Sequence, residues 1–493
     1  MKKLIAVLLC FVILMLSGCG DSGTAVTEAV TEGTAAVTTE EETTEFVYVS
    51  GAPDCDFEGA VFRVSTADPA LYTILLDFDF EAEDGDVIHD AIYKRNRKIE
   101  EKYNIVFTNE YREWPQGTEL MKKTAMSGDD AYDLIMVINR DAFAAALDGY
   151  ILNVADIPYL DIEAPWYCHE LNKQFTLNNQ MFLAYTDECM NMYAQTLAVM
   201  FNKTLAENLA LPDMYTMARE GRWTLDAFIE NARAAVSDLN GDGKFSVTDD
   251  VLGIGTEFDM FIPSMWIGSE LKTIHKNADD IPEYTAAGDD KLISVLDKVA
   301  GWYNEDGLVD DSWDYTNFSG DAARDASVAY FGEGHYIYRV GCTTNIMQLR
   351  SMEADFGLLP LPKYDEAQEK YVSRMIDGWI HVPPVTVTRL ELVGTIMEAL
   401  GAESKNLVMP AFFDVALTHK LTRDNDSSEM LDIIFESITV DLGDTVWQGD
   451  VRNAVVHSVY QGKTGVYASA LEKVTKKINK IIEKAVEKAI ASE

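Results

Sequence analysis

The sequence predicts an α/β fold built as two lobes. Apolar strand segments alternate with helical segments through its first part, which indicates a parallel sheet covered by helices on both faces. The chain has 493 residues, more than one typical hydrophobic core contains, so two domains or lobes are expected. Apolar residues make up 47% of the chain, a composition typical of a globular protein with a sizeable core.

Residues 1–19 are typical of an export signal that ends in a lipid-attachment site. Lys2 and Lys3 precede an apolar run over residues 4–16, which is shorter than the roughly 20 residues a spanning helix needs. The run ends in Leu-Ser-Gly-Cys, the lipobox pattern, so we expect residues 1–18 to be a lipoprotein signal peptide and Cys19 to be lipidated. Stable anchoring needs about two acyl chains, such as palmitate. The alternative is an ordinary secretory signal followed by an accidental cysteine.

Residues 19–46 are predicted to form a disordered acidic linker after the lipidated cysteine. They are rich in Thr, Glu, Ala, Gly and Val and show neither helical nor strand periodicity. The sequence contains no Lys or Arg between residue 4 and Arg63. This linker places the folded part of the protein away from the membrane, on its extracellular face.

The folded part begins near residue 57 with alternating strands and helices. Ile88, Ile92 and Ile99 share one face at helical spacing. The predicted order is a strand over 60–64, a helix over 88–103, a strand over 105–107, a helix over 120–126 and a buried strand over 133–137.

Later segments are assigned by the same patterns. Thr224 is a good N-cap for a helix that runs to about residue 237. The apolar segments 327–330 and 356–361 are interpreted as strands that return to the first sheet. The region 386–493 is expected to be mostly helical and to end in an amphipathic helix over 471–490 that packs on the body of the protein.

The charge and the cysteine content argue against several classes of protein. The formal net charge of −42 argues against nucleic acid as a partner, because nucleic-acid binders carry basic patches. Cys55, Cys168, Cys189 and Cys342 are widely spaced without a CxxC motif, so neither a disulfide framework nor a zinc site is expected. A bridge between Cys168 and Cys189 and free buried thiols are both open.

Residues 238–249 match the template of a calcium loop. Calcium prefers six to eight oxygen ligands, and the template places them at positions 1, 3, 5, 7, 9 and 12 with glycine at position 6. Position 6 is Gly243, and position 12 is Asp rather than Glu, as in dockerin-type loops. The predicted Ca²⁺ ligands, for a structural ion, are Asp238, Asn240, Asp242, Lys244 through its carbonyl, Ser246 and Asp249. The alternative is a polar turn without metal.

Common enzyme motifs are absent from the sequence. The sequence has no P-loop, no complete dinucleotide fingerprint, no GxSxG and no pair of histidines at metalloprotease spacing. Pairs of carboxylates suited to glycoside hydrolysis are too many to single one out among 82 acidic residues. The sequence therefore does not predict an enzyme, and no catalytic residue is assigned.

Aromatic residues give the remaining indication of function. Sugar rings present apolar faces that stack on aromatic planes. Trp379 precedes a Pro-Pro bend and Trp447 lies in a polar, turn-like stretch, so both are candidates for stacking on a ligand. A packing role is equally compatible with either residue.

Several short motifs, in their order and spacing, resemble one protein family. They are Tyr132-Asp-Leu-Ile135, Val199-Met-Phe-Asn-Lys203, Gly221-Arg-Trp-Thr-Leu-Asp226, Phe356-Gly-Leu-Leu-Pro-Leu-Pro-Lys-Tyr364 and Arg423-Asp-Asn-Asp-Ser-Ser-Glu-Met-Leu431. With the lipobox, residues 50–493 resemble the bacterial extracellular solute-binding lipoproteins of ABC importers, family 1, the maltodextrin-binding-like group.

The resemblance implies a two-lobed fold of the periplasmic-binding-protein type II, with a ligand cleft between the lobes and a hinge of several chain crossings. The crossings are expected near residues 187–195, 329–341 and 383–387. The N-terminal lobe then comprises 47–190 plus 330–385, and the C-terminal lobe comprises 191–329 plus 386–493.

The resemblance also implies where ligand groups lie. The loop after the strand at 133–137 offers Asn139, Arg140 and Asp141, and the segment before the Asn-Lys pair offers Gln195 and Thr196. An aromatic residue before a late helix corresponds to Trp447. The stretch after the second expected crossing lacks the tryptophan common in sugar binders, which leaves the identity of the ligand open.

The function predicted from these observations is the non-enzymatic binding component of an ABC importer. It is expected to be a monomer, anchored by lipid to the cell membrane, that delivers a carbohydrate, most simply an oligosaccharide, to the transmembrane permease subunits. Two alternatives remain at this point: a surface glycan-processing enzyme, and an adhesion or sensing lipoprotein that does not transport its ligand.

Overall fold

The computed structural model describes residues 47–69, 76–349, 355–418 and 425–491, and Val47–Glu493 form one compact unit. The predicted signal peptide, Cys19 and the acidic linker lie outside the described residues and stay predictions. Among the helices that are described, none combines the length and the apolar character needed to cross a bilayer.

Thirteen strands and seventeen helices alternate along the described residues. The strands are β1 (Ala60–Ala67), β2 (Ile105–Arg112), β3 (Leu134–Ile138), β4 (Leu197–Asn202), β5 (Leu252–Thr256), β6 (Ile274–Lys276), β7 (Pro282–Tyr284), β8 (Val309–Asp311), β9 (Tyr336–Cys342), β10 (Phe356–Leu359), β11 (Ser373–Arg374), β12 (Trp379–Val382) and β13 (Ile438–Thr439). The helices are α1 (Val87–Tyr103), α2 (Trp114–Ser127), α3 (Asn139–Leu147), α4 (His169–Phe175), α5 (Asn191–Ala194), α6 (Lys203–Asn208), α7 (Met214–Arg219), α8 (Leu225–Ala235), α9 (Phe258–Gly268), α10 (Asp290–Trp302), α11 (Asp321–Gly332), α12 (Asn345–Gln348), α13 (Leu390–Glu403), α14 (Met409–Thr418), α15 (Asn425–Glu436), α16 (Arg452–Tyr460) and α17 (Tyr467–Ala491).

The first sheet has the strand order β12-β3-β1-β2. β1 runs parallel to β2 and β3, whereas β12 pairs antiparallel with β3. The connecting helix α1 starts where Asp86 accepts from the backbone N–H of Ile88 at 3.0 Å and ends at Asn104 in the left-handed conformation. This half of the protein, called the first lobe, confirms the strand and helix order predicted for residues 60–138.

The second sheet has the strand order β10-β4-β9-β5-β8. β5 runs parallel to β8 and β9, and β4 runs antiparallel to β9 and β10. Thr224 caps α8 as predicted, because its side chain accepts from the backbone N–H of Ala227 at 3.3 Å. Trp223, fully buried, donates from Nε1 to Pro360 O at 2.9 Å and fixes the start of this helix on the sheet. This half is called the second lobe.

The predicted return of the chain to the first sheet at residues 327–330 and 356–361 is wrong. Residues 327–330 lie within α11, and β10 pairs with β4 in the second sheet. β9, which the boundary 330–385 assigned to the first lobe, also pairs with β4 and β5. Among the strands of the described residues, β12 alone returns to the first sheet after β3, so the second crossing follows Arg374 instead of lying near 329–341.

The predicted third crossing at residues 383–387 is also misplaced. The N–H of Leu152 donates to Pro383 O at 3.1 Å, and the N–H of Val385 donates to Tyr150 O at 2.9 Å, which keeps this stretch in the first lobe. α13 then packs on the first sheet, where Leu392 and Ile396 join the cluster around Phe62. α14 contacts α1 in the first lobe, whereas α15 contacts β10 in the second, so residues from 386 to the end of α14 belong to the first lobe.

Three stretches of chain meet side by side between the two sheets. β11 pairs with β13, and the N–H of Met375 donates to Thr439 O at 2.9 Å. On the other side, the N–H of Ile376 donates to Gln195 O at 3.1 Å. The first crossing therefore lies where it was expected, at the end of 187–195. We call this group of hydrogen-bonded segments the junction.

The last helix, α17, contacts both lobes. Tyr467 and Leu471 at its start belong to the hydrophobic cluster of the second lobe. Near its end Ile482 and Ala489 pack in the cluster that contains Phe143 of the first lobe. Ala489 O also accepts from Gln180 Nε2 at 2.8 Å. The predicted packing of this amphipathic helix on the protein body is confirmed.

The four cysteines of the described residues are free thiols. A bridge between Cys168 and Cys189, one of the two alternatives from sequence, is therefore not formed. Burial raises the pKa of the Cys168 thiol to about 11, so this group is neutral at physiological pH.

Glu188 holds the first crossing to the first sheet. Its Oε1 lies 2.9 Å from Nδ1 of His381, and Nε2 of that ring lies 3.2 Å from Oγ1 of Thr66. Burial opposes the carboxylate charge, but the attraction and hydrogen bond of His381, with the charge of Arg95, lower the pKa of Glu188 to about 2. These hydrogen bonds thus link the crossing to β12 and, through Thr66, to β1.

We expect Glu188→Gln to destabilise the protein on the order of 2 kcal/mol near pH 7. A carboxyl whose pKa is lowered on folding contributes stability above its unfolded pKa, which is 4.5, and loses it as the pH falls towards 2. The difference between wild type and variant should therefore shrink below pH 4.5 in urea denaturation followed by circular dichroism. Glu101→Gln, at an exposed position of α1, is the control. A difference that stays constant from pH 7 to pH 3 would contradict this role.

Candidate functional site

The candidate site is a cleft of about 580 Å³ lined by both lobes. Ligands of open α/β sheets bind outside the carboxyl ends of the strands, and pockets for small molecules measure about 300–1,000 Å³. Arg140 follows the carboxyl end of β3, and Thr344 follows that of β9. Trp379 begins β12, and because that strand is antiparallel its first residue pairs with Ile138 at the same edge.

Two tryptophans form one wall of the cleft. Trp114 and Trp379 meet edge to face with ring centroids 5.7 Å apart at an angle of 88°. The guanidinium of Arg140 lies 6.0 Å from the ring centroid of Trp114 and pairs with Asp377. This wall combines an aromatic surface with a fork of hydrogen-bond donors, the combination that recognises a ring bearing hydroxyl groups.

The opposite wall is built on a buried ion pair. Arg374 of the junction makes two bonds to Asp444, from Nε at 2.7 Å and from Nη2 at 3.0 Å, and both side chains are buried. Nη1 of Arg374 also donates to Met260 O at 2.9 Å, which fixes the start of α9 at the cleft. Nη1 of Arg452 lies 3.8 Å from Oδ1 of Asp444.

A second buried pair lies behind this wall. Nη2 of Arg339 bonds Oε1 of Glu257 at 2.6 Å, and neither side chain is exposed. Burial disfavours the charge of Arg339, but Glu257 outweighs burial and raises the pKa of the guanidinium above its usual value. The pair holds β9 against the start of α9, the two elements that carry residues of the cleft.

Side chains that both donate and accept complete the lining. Nδ2 of Asn345 donates to Oε1 of Gln348 at 2.9 Å, and Nε2 of Gln348 donates to Oδ1 of Asp325 at 2.7 Å. Such groups match hydroxyls, which also donate and accept. The lining residues are Trp114, Ile138, Arg140, Gln195, Asp259, Met260, Asp321, Arg324, Asp325, Cys342, Thr344, Asn345, Gln348, Arg374, Ile376, Asp377, Trp379, Asp444, Thr445, Gln448 and Arg452.

The cysteine in the cleft is not a nucleophile. Burial raises the pKa of the Cys342 thiol to about 12, and its Sγ donates to Oε1 of Gln195 at 3.4 Å. Since the thiolate is the reactive form, this thiol is inert near neutral pH.

Three of the residues predicted to contact ligand line the cleft: Arg140, Gln195 and Trp379. Their contact with a ligand stays a prediction, which the geometry permits.

The other predicted contact residues lie behind or beside the wall. Asn139 is fully buried, and its Oδ1 accepts from the N–H of Arg140 at 2.7 Å. Thr196, also fully buried, donates from Oγ1 to Met192 O at 2.8 Å. Asp141 accepts from Oγ1 of Thr118 at 2.9 Å. Trp447 is 8% exposed and packs edge to face on Phe143 at 6.0 Å, so it serves the core rather than the cleft.

Sequence reasoning missed most of the lining. Trp114 and Asp259 each follow the carboxyl end of a parallel strand by two or three residues, so a search of these positions would have found them. Arg374 and Asp444 lie 70 residues apart in the junction, and no local pattern predicts their contact.

In the predicted calcium loop, aspartate side chains accept hydrogen bonds from backbone N–H groups of the same loop. Gly243, with a φ of 73°, makes the sharp turn that the template requires. Asp238 accepts from the N–H of Gly241 at 2.7 Å and from that of Gly243 at 2.8 Å, and Oδ1 of Asp242 accepts from the N–H of Lys244 at 2.8 Å. Within residues 47–69, 76–349, 355–418 and 425–491, no group of three or more His, Cys, Asp or Glu side chains is gathered closely enough to hold a metal ion. The carboxylates of the loop therefore do not form such a group in the structure, and calcium binding by the six-ligand set stays a prediction from sequence.

Known proteins resemble this chain in structure rather than in sequence. No protein-family model matches the chain, and no curated protein sequence matches it significantly. Among solved structures, the sugar-binding protein MalE from Xanthomonas citri is similar, with a TM-score of 0.60 and 13% identity over 86% of this chain and 98% of that one.

Two further solved structures show that related folds bind different ligands. The extracellular solute-binding protein from Staphylococcus aureus, in complex with maltose, has a TM-score of 0.57 and 14% identity over 86% of this chain and 98% of that one. UgpB from Mycobacterium tuberculosis, in complex with glycerophosphocholine, has a TM-score of 0.54 and 14% identity over 88% of this chain and 99% of that one. At such identities the likeness establishes the fold, which is the two-lobed α/β architecture expected from the sequence.

Proposed function

We propose that the protein is the extracellular binding component of an ABC importer and that it captures an oligosaccharide in the cleft. The observation that carries the proposal is the cleft itself, in which the Trp114–Trp379 corner faces a wall of hydrogen-bonding side chains held by the other lobe. Aromatic planes stack on the apolar faces of sugar rings; Arg donates hydrogen bonds to sugar hydroxyls, Asp accepts from them, and amide groups do both. Structures of sugar-binding proteins with the same fold support the assignment.

The proposed mechanism is closure of the two lobes on the ligand. Arg140 and Trp379 contact the sugar from the first lobe, while Gln448 and Arg452 contact it from the second. A ligand that touches both lobes binds the closed form better than the open one and shifts the population towards it. The closed form then docks on the permease subunits, and the buried ion pairs behind the cleft keep each wall rigid during the motion.

The proposal predicts that an oligosaccharide raises the melting temperature of residues 47–493. At about 100 times its dissociation constant, a ligand adds roughly 2.7 kcal/mol to the stability of the form that binds it. Arg140→Ala should weaken binding about tenfold, which calorimetric titration measures. Arg97→Ala is the matched control, because that arginine pairs with Asp79 outside the cleft. The proposal fails if no sugar in a panel of mono- and oligosaccharides binds, or if Arg140→Ala binds as tightly as wild type. Release of products from the sugar would instead indicate an enzyme.

Anchoring through Cys19 is the second part of the proposal, and it is supported by the lipobox sequence alone. Two acyl chains on this residue would hold the protein at the outer face of the membrane. Cells that express the full chain should incorporate labelled palmitate into the protein, and Cys19→Ala should release it into the medium. Membrane retention of the alanine variant would contradict lipid anchoring.

Calcium binding by residues 238–249 is proposed from the template match. If calcium binds, removing it with a chelator should lower the melting temperature of the wild type, and Asp238→Asn combined with Asp242→Asn should abolish that effect. Asp290→Asn, at an exposed position of α10, is the control. Equal melting temperatures of the wild type with calcium and with chelator would show that the loop is a polar turn without metal.

A further inference from the structure

The segment 312–320 borders the cleft on the second lobe. It connects β8, whose carboxyl end lies at the same edge of the sheet as that of the parallel strand β5, to α11. The first turns of α11 carry Asp321, Arg324 and Asp325, which line the cleft. The segment therefore forms part of the rim, and we call it the rim loop.

The rim loop carries Trp313, the most exposed of the eight tryptophans, all of which lie in the described residues. Trp313 is 51% exposed, whereas Trp114 is half buried and the other six are buried. Phe318 on the same loop is 42% exposed. Tryptophan buries more apolar surface than most side chains, so an exposed indole at the edge of a binding cleft marks a surface that a partner or ligand covers.

Trp313 is held on the rim by hydrogen bonds and by ring packing. Its Nε1 donates to Oδ1 of Asp259 at 3.3 Å, and Asp259 itself lines the cleft. Its ring packs on Phe258 with centroids 6.1 Å apart, and Phe258 stacks on Tyr460 at 4.8 Å. The backbone N–H of Trp313 donates to Oδ1 of Asp311 at 3.1 Å, which caps the short turn that bears the ring. A ring held in this way costs little conformational entropy when a ligand binds.

We propose that Trp313 forms an outer subsite that stacks on one further ring of an oligosaccharide whose inner rings lie between the lobes. The inference rests on the proposed function and adds to it that the ligand is longer than the cleft. The proposal is supported by one shared residue: Asp259 accepts from the indole N–H of Trp313 and also lines the cleft, so a sugar chain that leaves the cleft at Asp259 passes close to the indole. Docking of a permease subunit on the same ring is the competing use, and the experiment below separates the two.

The test compares sugars of increasing length on the protein over residues 47–493. Calorimetric titration of malto-, cello- and xylo-oligosaccharides of two to six units is made on wild type, Trp313→Ala and Trp313→Phe. The alanine variant should bind the longest member of the series that wild type recognises about tenfold more weakly and should bind the disaccharide unchanged. The phenylalanine variant keeps a stacking face without the N–H, so it should retain most of the affinity for the longer sugar.

One control variant and several contrary results distinguish the outer subsite from the other roles of Trp313. Tyr159→Ala removes an aromatic ring of the first lobe that is 41% exposed and does not line the cleft, and it should leave every affinity unchanged. An equal loss for sugars of all lengths would show that Trp313 acts only by positioning Asp259, and no loss at any length would remove the subsite. Unchanged binding with reduced uptake by cells would assign the ring to permease docking and overturn the subsite. Failure of wild type to bind any of these sugars would overturn the proposed function, and the subsite with it.

Discussion

The junction of crossing segments is the constraint on which the rest of the structure depends. Gln195, Met375 and Thr439 belong to distant parts of the sequence, yet their backbones are bonded into one ribbon between the two sheets. Two passages of the chain between the lobes, the one that ends at Gln195 and the one that follows Arg374, run through this ribbon. The carboxyl edges of both sheets consequently face one shared space, and the residues that follow these edges line it.

Buried charges are concentrated where rigid placement matters. Arg374 with Asp444, Arg339 with Glu257, and Glu188 with His381 all lie at or directly behind the junction and the cleft. A buried ion pair adds little net stability compared with apolar residues of the same volume, but breaking one partner away is costly. The pairs therefore favour one arrangement of crossings over alternatives of similar packing, and Arg374 holds Met260 at a fixed position on the wall of the cleft.

Local pattern and long-range pairing explain which predictions succeeded. α1, β2, β3 and the cap at Thr224 were predicted from spacing, because hydrophobic periodicity and capping act within a few residues. The sheet to which β10 belongs was predicted wrongly, since the apolar residues 356–359 are compatible with either sheet. Only their pairing with β4 decides between the two sheets. Trp447 illustrates the same limit at the site: its polar surroundings in the sequence indicated a surface, but Phe143, three hundred residues earlier, covers it.

The long terminal helix, α17, connects the two lobes at a distance from the cleft. At 1.5 Å per residue, the 25 residues of α17 extend about 37 Å, from the core of the second lobe to Asp148 of the first, which pairs with Lys488 at 2.6 Å. A helix attached to both lobes cannot keep all of its contacts if the lobes rotate against each other. Under the proposed closure, any free energy needed to release or shift the far end of α17 is subtracted from the affinity for ligand, and by thermodynamic reciprocity a ligand loosens or tightens that end by the same amount. The proposed closure would thus make the affinity of the cleft depend partly on contacts at the far end of α17.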